Sequence, residues 1–102
     1  MAKHDFTAVY LLASRRNGKL YLGATTDLIS RMVVHRAGAG PAIAVRHGCR
    51  LLVWFERRAD LDDAVARQRE VRRLTPIGKS ALIEATNRTW RDLFPEIAPP
   101  SP

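Results

Sequence analysis

The sequence is poor in the residues that would staple or span anything. One cysteine, Cys49, in 102 residues leaves no partner for an internal disulfide and excludes a disulfide-built secreted scaffold. The three histidines, His4, His35 and His47, are scattered and show no Cys/His spacing suited to zinc, so any bound metal must use oxygen ligands. No apolar run approaches the roughly 20 residues of a membrane helix. Met1 to His4 also lack the basic-then-apolar layout of a signal peptide, and the expected location is the cytoplasm. The length accommodates one compact domain and not two. Acidic residues are scarce as well: ten Asp and Glu stand against seventeen Lys and Arg, a formal charge of +7. That balance favours polyanionic partners through counterion release, with nucleic acid the leading candidate, although solubility alone also makes small domains basic.

What is present reads as a folded domain. Hydrophobic residues make up 46% and charged residues 26%, well away from the composition of a disordered chain. Phe6 to Ala13 and Lys19 to Ala24 are rich in β-formers, and Asn17-Gly18 between them is a hairpin signal, since both residues tolerate positive φ. Thr25-Thr26-Asp27 supplies N-cap chemistry for a first helix with its apolar stripe at Leu28, Ile29, Met32 and Val33, stopped by Gly38 and Gly40. Residues 41–48 read as a loop or irregular turn. Leu51 to Phe55 is a continuous apolar run suited to a strand inside the sheet.

A second helix is marked by Leu61, Ala64, Val65, Val71 and Leu74, with Asp60, Asp62 and Asp63 at its positive end and Arg72 and Arg73 at its negative end. Thr75-Pro76 opens a third helix running to about Ala85, and Asn87 to Phe94 form a closing turn. Trp54 and Trp90 read as core closures and Cys49 as a small apolar filler. The order β-β-α-β-α-α predicts an α+β fold, a small three-stranded, mainly antiparallel sheet flanked by helices. The domain is expected over residues 1–94, with a mobile tail over 95–102 that holds four prolines and almost nothing to bury.

The chemistry-bearing residues cluster early. Tyr10 and Tyr21 sit on the two hairpin strands, eleven positions apart, and Arg31 and His35 lie a turn apart on a helix face distinct from the apolar stripe. Two phenols, a guanidinium and an imidazole on one surface offer a proton acceptor and a phosphate clamp, which is phosphodiester chemistry in outline. Lys19 on the hairpin and position 30 on the helix, which is Ser30, are further candidates for touching nucleic acid, without an assigned role. Arg67, Arg69, Arg72, Arg73 and Lys79 form either a phosphate-tracking face or a solvated one.

Val9-Tyr10-Leu11, then Tyr21-Leu22-Gly23, then Thr26-Asp27-Leu28 leading to Arg31 and His35, resembles the signature of the GIY-YIG nuclease superfamily. It is most like the small stand-alone bacterial branch, related to the excision-repair nuclease module and to homing endonucleases. The likeness continues through Leu52 to Glu56, Ala64 to Leu74 and Trp90 to Leu93; the first motif is loose, with Val9 for glycine and Leu11 for isoleucine. The resemblance implies a metal-dependent endonuclease acting on nucleic acid, DNA above all. Tyr10 and Tyr21 would position or deprotonate the attacking water, Arg31 would stabilise phosphorane-like charge, and His35 would assist proton transfer or contact the phosphate. It further implies one Mg²⁺ or Mn²⁺ held by a glutamate on the later helix. Aligned on Ala64 to Arg67, that position is Gln68, a neutral amide that is a poor ligand for a hard cation.

Position 68 falls on the inward stripe, whereas Glu70 lies roughly 200° around the helix and should face solvent. Glu56 at the end of the third strand is another candidate acid. Relatives commonly carry threonine and lysine where Ala44 and Val45 stand. The expected function is therefore nucleic-acid hydrolysis. The alternatives are a nucleic-acid-binding descendant impaired by Gln68 and a protein-interaction module.

Overall fold

A computed structural model describes residues 4–98. In chain order the elements are β1 (Ala8–Ala13), β2 (Leu20–Thr25), α1 (Leu28–Arg36), α2 (Ala42–Arg46), β3 (Leu51–Arg57), α3 (Leu61–Arg72), α4 (Pro76–Glu84) and α5 (Phe94–Ile97). The α+β class and the three-stranded antiparallel sheet agree with the sequence reading, and two short helices, α2 and α5, are added to it. Ala44 explains α2: an almost wholly buried alanine anchors a segment whose neighbours Ile43 and Val45 are exposed, so no periodic stripe announces it. The folded part also runs past the boundary expected at residue 95, because α5 buries Ile97 to 4% exposure. The remainder of that tail, residues 99–102, lies outside the described residues.

The strand order is β2-β1-β3, both pairings antiparallel. β1 is therefore the central strand and is buried along its whole length. β3, the most continuously apolar run, is an edge strand, contrary to the interior place expected for it. Its outer edge is covered by the C-terminal segment. Leu93 N–H donates to Leu52 O at 2.7 Å, Asn87 Nδ2 donates to Val53 O at 2.9 Å, and Asp92 accepts from Leu52 N–H at 3.2 Å. Covering the edge satisfies backbone groups that would otherwise be buried unpaired. The register shifts between Leu11 and Leu12, whose partners are Trp54 and Leu52, so Val53 is the extra residue of a bulge.

Two cores lie on the two faces of the sheet. Ala8, Tyr10 and Leu12 of β1 pack with Leu28, Ile29 and Met32 of α1, and Val9, Leu11 and Ala13 pack with Val71 of α3, Ile83 of α4, Trp54 and Trp90. Period-two alternation in β1 thus assigns α1 and α3 to opposite faces.

The hairpin turn differs from expectation in one detail. Asn17 alone takes positive φ, at 58°. Gly18 is needed for room, since a Cβ there would lie 2.3 Å from Ser14 Oγ. α1 also departs from its expected cap. Asp27 makes no side-chain cap bond; Asp5 reaches across to accept from the N–H groups of Ile29 at 2.7 Å and Ser30 at 3.0 Å. α3 and α4 are capped as read, by Asp60 and by Thr75 ahead of Pro76. The apolar stripes hold in part. Val33 of α1 and Leu61 and Leu74 around α3 are exposed, and in α1 His35 takes the buried place instead.

Candidate active site

The central strand sets the position of Tyr10. Its ring points to the α1 face, and its register partner across the hairpin is Gly23. A Cβ at Gly23 would stand 2.5 Å from both Cζ and the hydroxyl of Tyr10, so the ring lies across a backbone that only glycine leaves clear. Two residues earlier on β2, Tyr21 presents its ring to the same face, 6.3 Å from Tyr10 between centroids. From α1, His35 closes the group, with its ring 6.0 Å from Tyr10 and 5.6 Å from Tyr21. The fit is tight on the far side too, for a Cβ at Gly40 would fall 2.4 Å from His35 Nδ1.

Tyr10 Oη and His35 Nε2 are hydrogen-bonded at 3.2 Å. Burial raises the Tyr10 phenol well above its usual range, the neighbouring Tyr21 adds to that, and Arg31 only partly offsets it. Burial lowers the His35 imidazole below its ordinary 6.5, and the positive charge of Arg31 pushes the same way. Both groups are therefore neutral, and in the tautomer with its hydrogen on Nδ1 His35 accepts at Nε2 from the Tyr10 phenol. Both residues are almost wholly buried, whereas Tyr21 is half-buried and Arg31 is exposed with no ion pair among the described residues. The arrangement pairs an inner proton-accepting couple with an outer phenol and a free guanidinium.

Sequence reasoning thus named four side chains that the structure links, three by ring contact and Arg31 through its field. It separated the Arg31–His35 face from the apolar stripe. In the fold His35 continues that stripe after Leu28 and Met32, and only Arg31 looks outward. Lys19 is exposed, as a contact residue would be. Ser30 is engaged elsewhere, its hydroxyl donating to Asp5 at 2.7 Å.

The residues do not fit a cation held by a single carboxylate. Gln68 is half-buried between Ala64 and Val71, as the stripe implied, but it hydrogen-bonds to none of the described residues, and no hydrogen bond joins it to the tyrosine cluster. Glu56 is occupied: both of its oxygens accept from Arg67, at 2.9 and 3.2 Å, and Arg58 adds a third contact at 3.4 Å. Glu70 is exposed and pairs with Arg67 at 3.2 Å. Among the described residues no three His, Cys, Asp or Glu side chains gather as a metal site. Arg67 is likewise consumed by these acids, which removes it from the basic face proposed for α3. Among the described residues, no helix is long and apolar enough to cross a membrane.

The GIY-YIG catalytic domain family matches residues 6–74. Two UPF0213 proteins, from two strains of Pseudomonas aeruginosa, are each 33% identical to the chain over 76 residues, covering 74% of it and 72% of the relative. No solved structure gives a match.

Proposed function

Because the chain belongs to the GIY-YIG catalytic-domain family, a family of nucleases, we propose that it hydrolyses phosphodiester bonds of nucleic acid, DNA in the first place, at the surface shared by Tyr10, Tyr21, Arg31 and His35. The observation that carries this is the Tyr10–His35 hydrogen bond within the field of an exposed Arg31 that has no ion pair among the described residues. A phosphodiester meeting Arg31 has its non-bridging oxygens held by a forked donor. The attacking water then gives its proton to Tyr10, and Tyr10 passes its own to neutral His35 Nε2. The new P–O bond forms in line as the bond to the leaving oxygen breaks, and that oxygen takes a proton from solvent. Tyr21, at the solvent edge of the cluster, orients the water.

The neutral amide at position 68 favours a second reading, a descendant that binds nucleic acid and no longer cuts it. Plasmid nicking by purified protein with Mg²⁺, with Mn²⁺ or with a chelator separates the two. Hydrolysis predicts nicking by the wild type and a loss of about 100-fold or more in Arg31→Ala, the scale seen when one donor to developing anionic charge is removed. Equal background from both proteins ends that reading. Salt-sensitive oligonucleotide binding without nicking supports the second, more so if Gln68→Glu gains both cation affinity and cutting. A protein that neither cuts nor binds leaves only a protein partner.

A further inference from the structure

Beside the site lies a cleft of about 270 Å³ lined by Arg36, Arg50, Leu51 and Asp92. We infer that this cleft is a second phosphate subsite, which holds a neighbouring phosphodiester of the same strand whose reacting phosphate meets Arg31. The inference rests on the proposed nucleic-acid reading and adds a contact to it.

Arg36 is fixed in advance. Its Nη1 lies 2.5 Å from Asp92 Oδ2, and its guanidinium carbon sits 4.7 Å from the centre of the Phe94 ring. Asp92 is itself held by the backbone N–H groups of Leu52 at 3.2 Å and Phe94 at 3.1 Å. Arg36 still exposes 43% of its side chain, so donors remain for a ligand. Arg50 has no ion pair among the described residues, and its guanidinium lies against Gly38, where a Cβ would come within 3.2 Å of Nη2. Two guanidinium groups and one carboxylate sum to a single positive charge. That matches the one negative charge of a phosphodiester and falls short of the roughly −1.5 to −2 of a phosphate monoester.

Position supports a strand path. Arg36 follows His35 directly, and one turn of chain serves both places, Gly40 against His35 and Gly38 against Arg50. Five helical residues from Arg31 to Arg36 span about 7.5 Å along the axis and turn about 140° around it, so a strand that meets both crosses α1 obliquely. Half-buried Leu51 provides an apolar wall for the intervening sugar.

The test is fluorescence anisotropy of a labelled DNA duplex over stepped salt, comparing wild type with Arg50→Gln, Arg31→Gln and Arg88→Gln. Arg88 is exposed, two residues before Trp90 of the core on the opposite sheet face, and carries the same charge change. Arg50→Gln should weaken binding about fivefold and reduce the slope of log K against log salt by about 0.9, the value for one lost phosphate contact. Arg88→Gln should leave the slope as in wild type. An unchanged slope in Arg50→Gln, or an equal reduction in Arg88→Gln, overturns the subsite. If Arg31→Gln still lowers the slope in that case, the nucleic-acid reading survives alone. Failure of the wild type to bind takes down both.

Discussion

At the scale of single residues, the site depends on two glycines as much as on its tyrosines. Gly23 and Gly40 are where backbone meets the faces of Tyr10 and His35, and a side chain at either would occupy the space of a reacting group. The motif glycine is therefore explained by close approach, since its φ is not positive. His35 yields the residue-scale prediction. Because burial and Arg31 lower its pKa, the free base persists below 6.5. The acid limb of the nicking rate should fall with a midpoint below 6.5, and Arg31→Lys, which keeps the charge, should leave that midpoint in place. A limb at or above 6.5 contradicts a buried neutral acceptor. The letters and spacing of Tyr10, Tyr21, Arg31 and His35 were readable in the sequence. The burial of His35 was not, because an imidazole on an amphipathic helix has no fixed side; its place was decided by Tyr10 and Gly40, distant in the chain.

At the scale of elements, the local signals were correct where the partners were local. Asp60 and Thr75 cap their own helices within three residues. α1 shows the opposite case, for the free N–H of Leu28 is satisfied by Phe6 O and those of Ile29 and Ser30 by Asp5, more than twenty residues upstream. Asp27 instead accepts from the hydroxyls of Thr25 and Thr26. Asp5→Ala should cost about 1–2 kcal/mol in chemical denaturation, the usual size of a lost cap. A value near zero would mean that Asp27 takes over. Burial pushes the Asp5 carboxyl up, but hydrogen bonds from Ser30, Ile29 and Phe6 together outweigh it and leave its pKa below 3.8. The unfolded chain therefore takes up the proton first. The stabilisation is whole above 3.8 and is lost as pH falls towards the lowered value, so the variant should lack this part of the acid dependence.

At the scale of the molecule, the C-terminal segment completes the fold. Asn87 bridges Val53 O and Arg91 O, Trp90 Nε1 donates to Glu84 at 2.8 Å, and Ile97 enters the core on the α1 face. Ile97→Ala should destabilise the protein by about 2–4 kcal/mol, read as a lower thermal midpoint. A midpoint equal to wild type would restore the domain boundary expected from composition. The prolines around Ile97 concealed it. A segment of Pro95 to Pro102 reads as a proline-rich tail when counted, while Ile97 within it is buried in the core on the α1 face.

The chain by itself determined the strands, the three longer helices, the hairpin and the motif letters, because these follow from short-range periodicity, turn chemistry and residue type. Which strand became central, which acid capped α1, and which face received His35 and Ile97 were decided only on folding. Each is a choice among partners far apart in sequence, settled by who can bury apolar surface while leaving no backbone group unpaired. The same holds for Glu56, an acid free on paper and occupied by Arg67 and Arg58 in the fold.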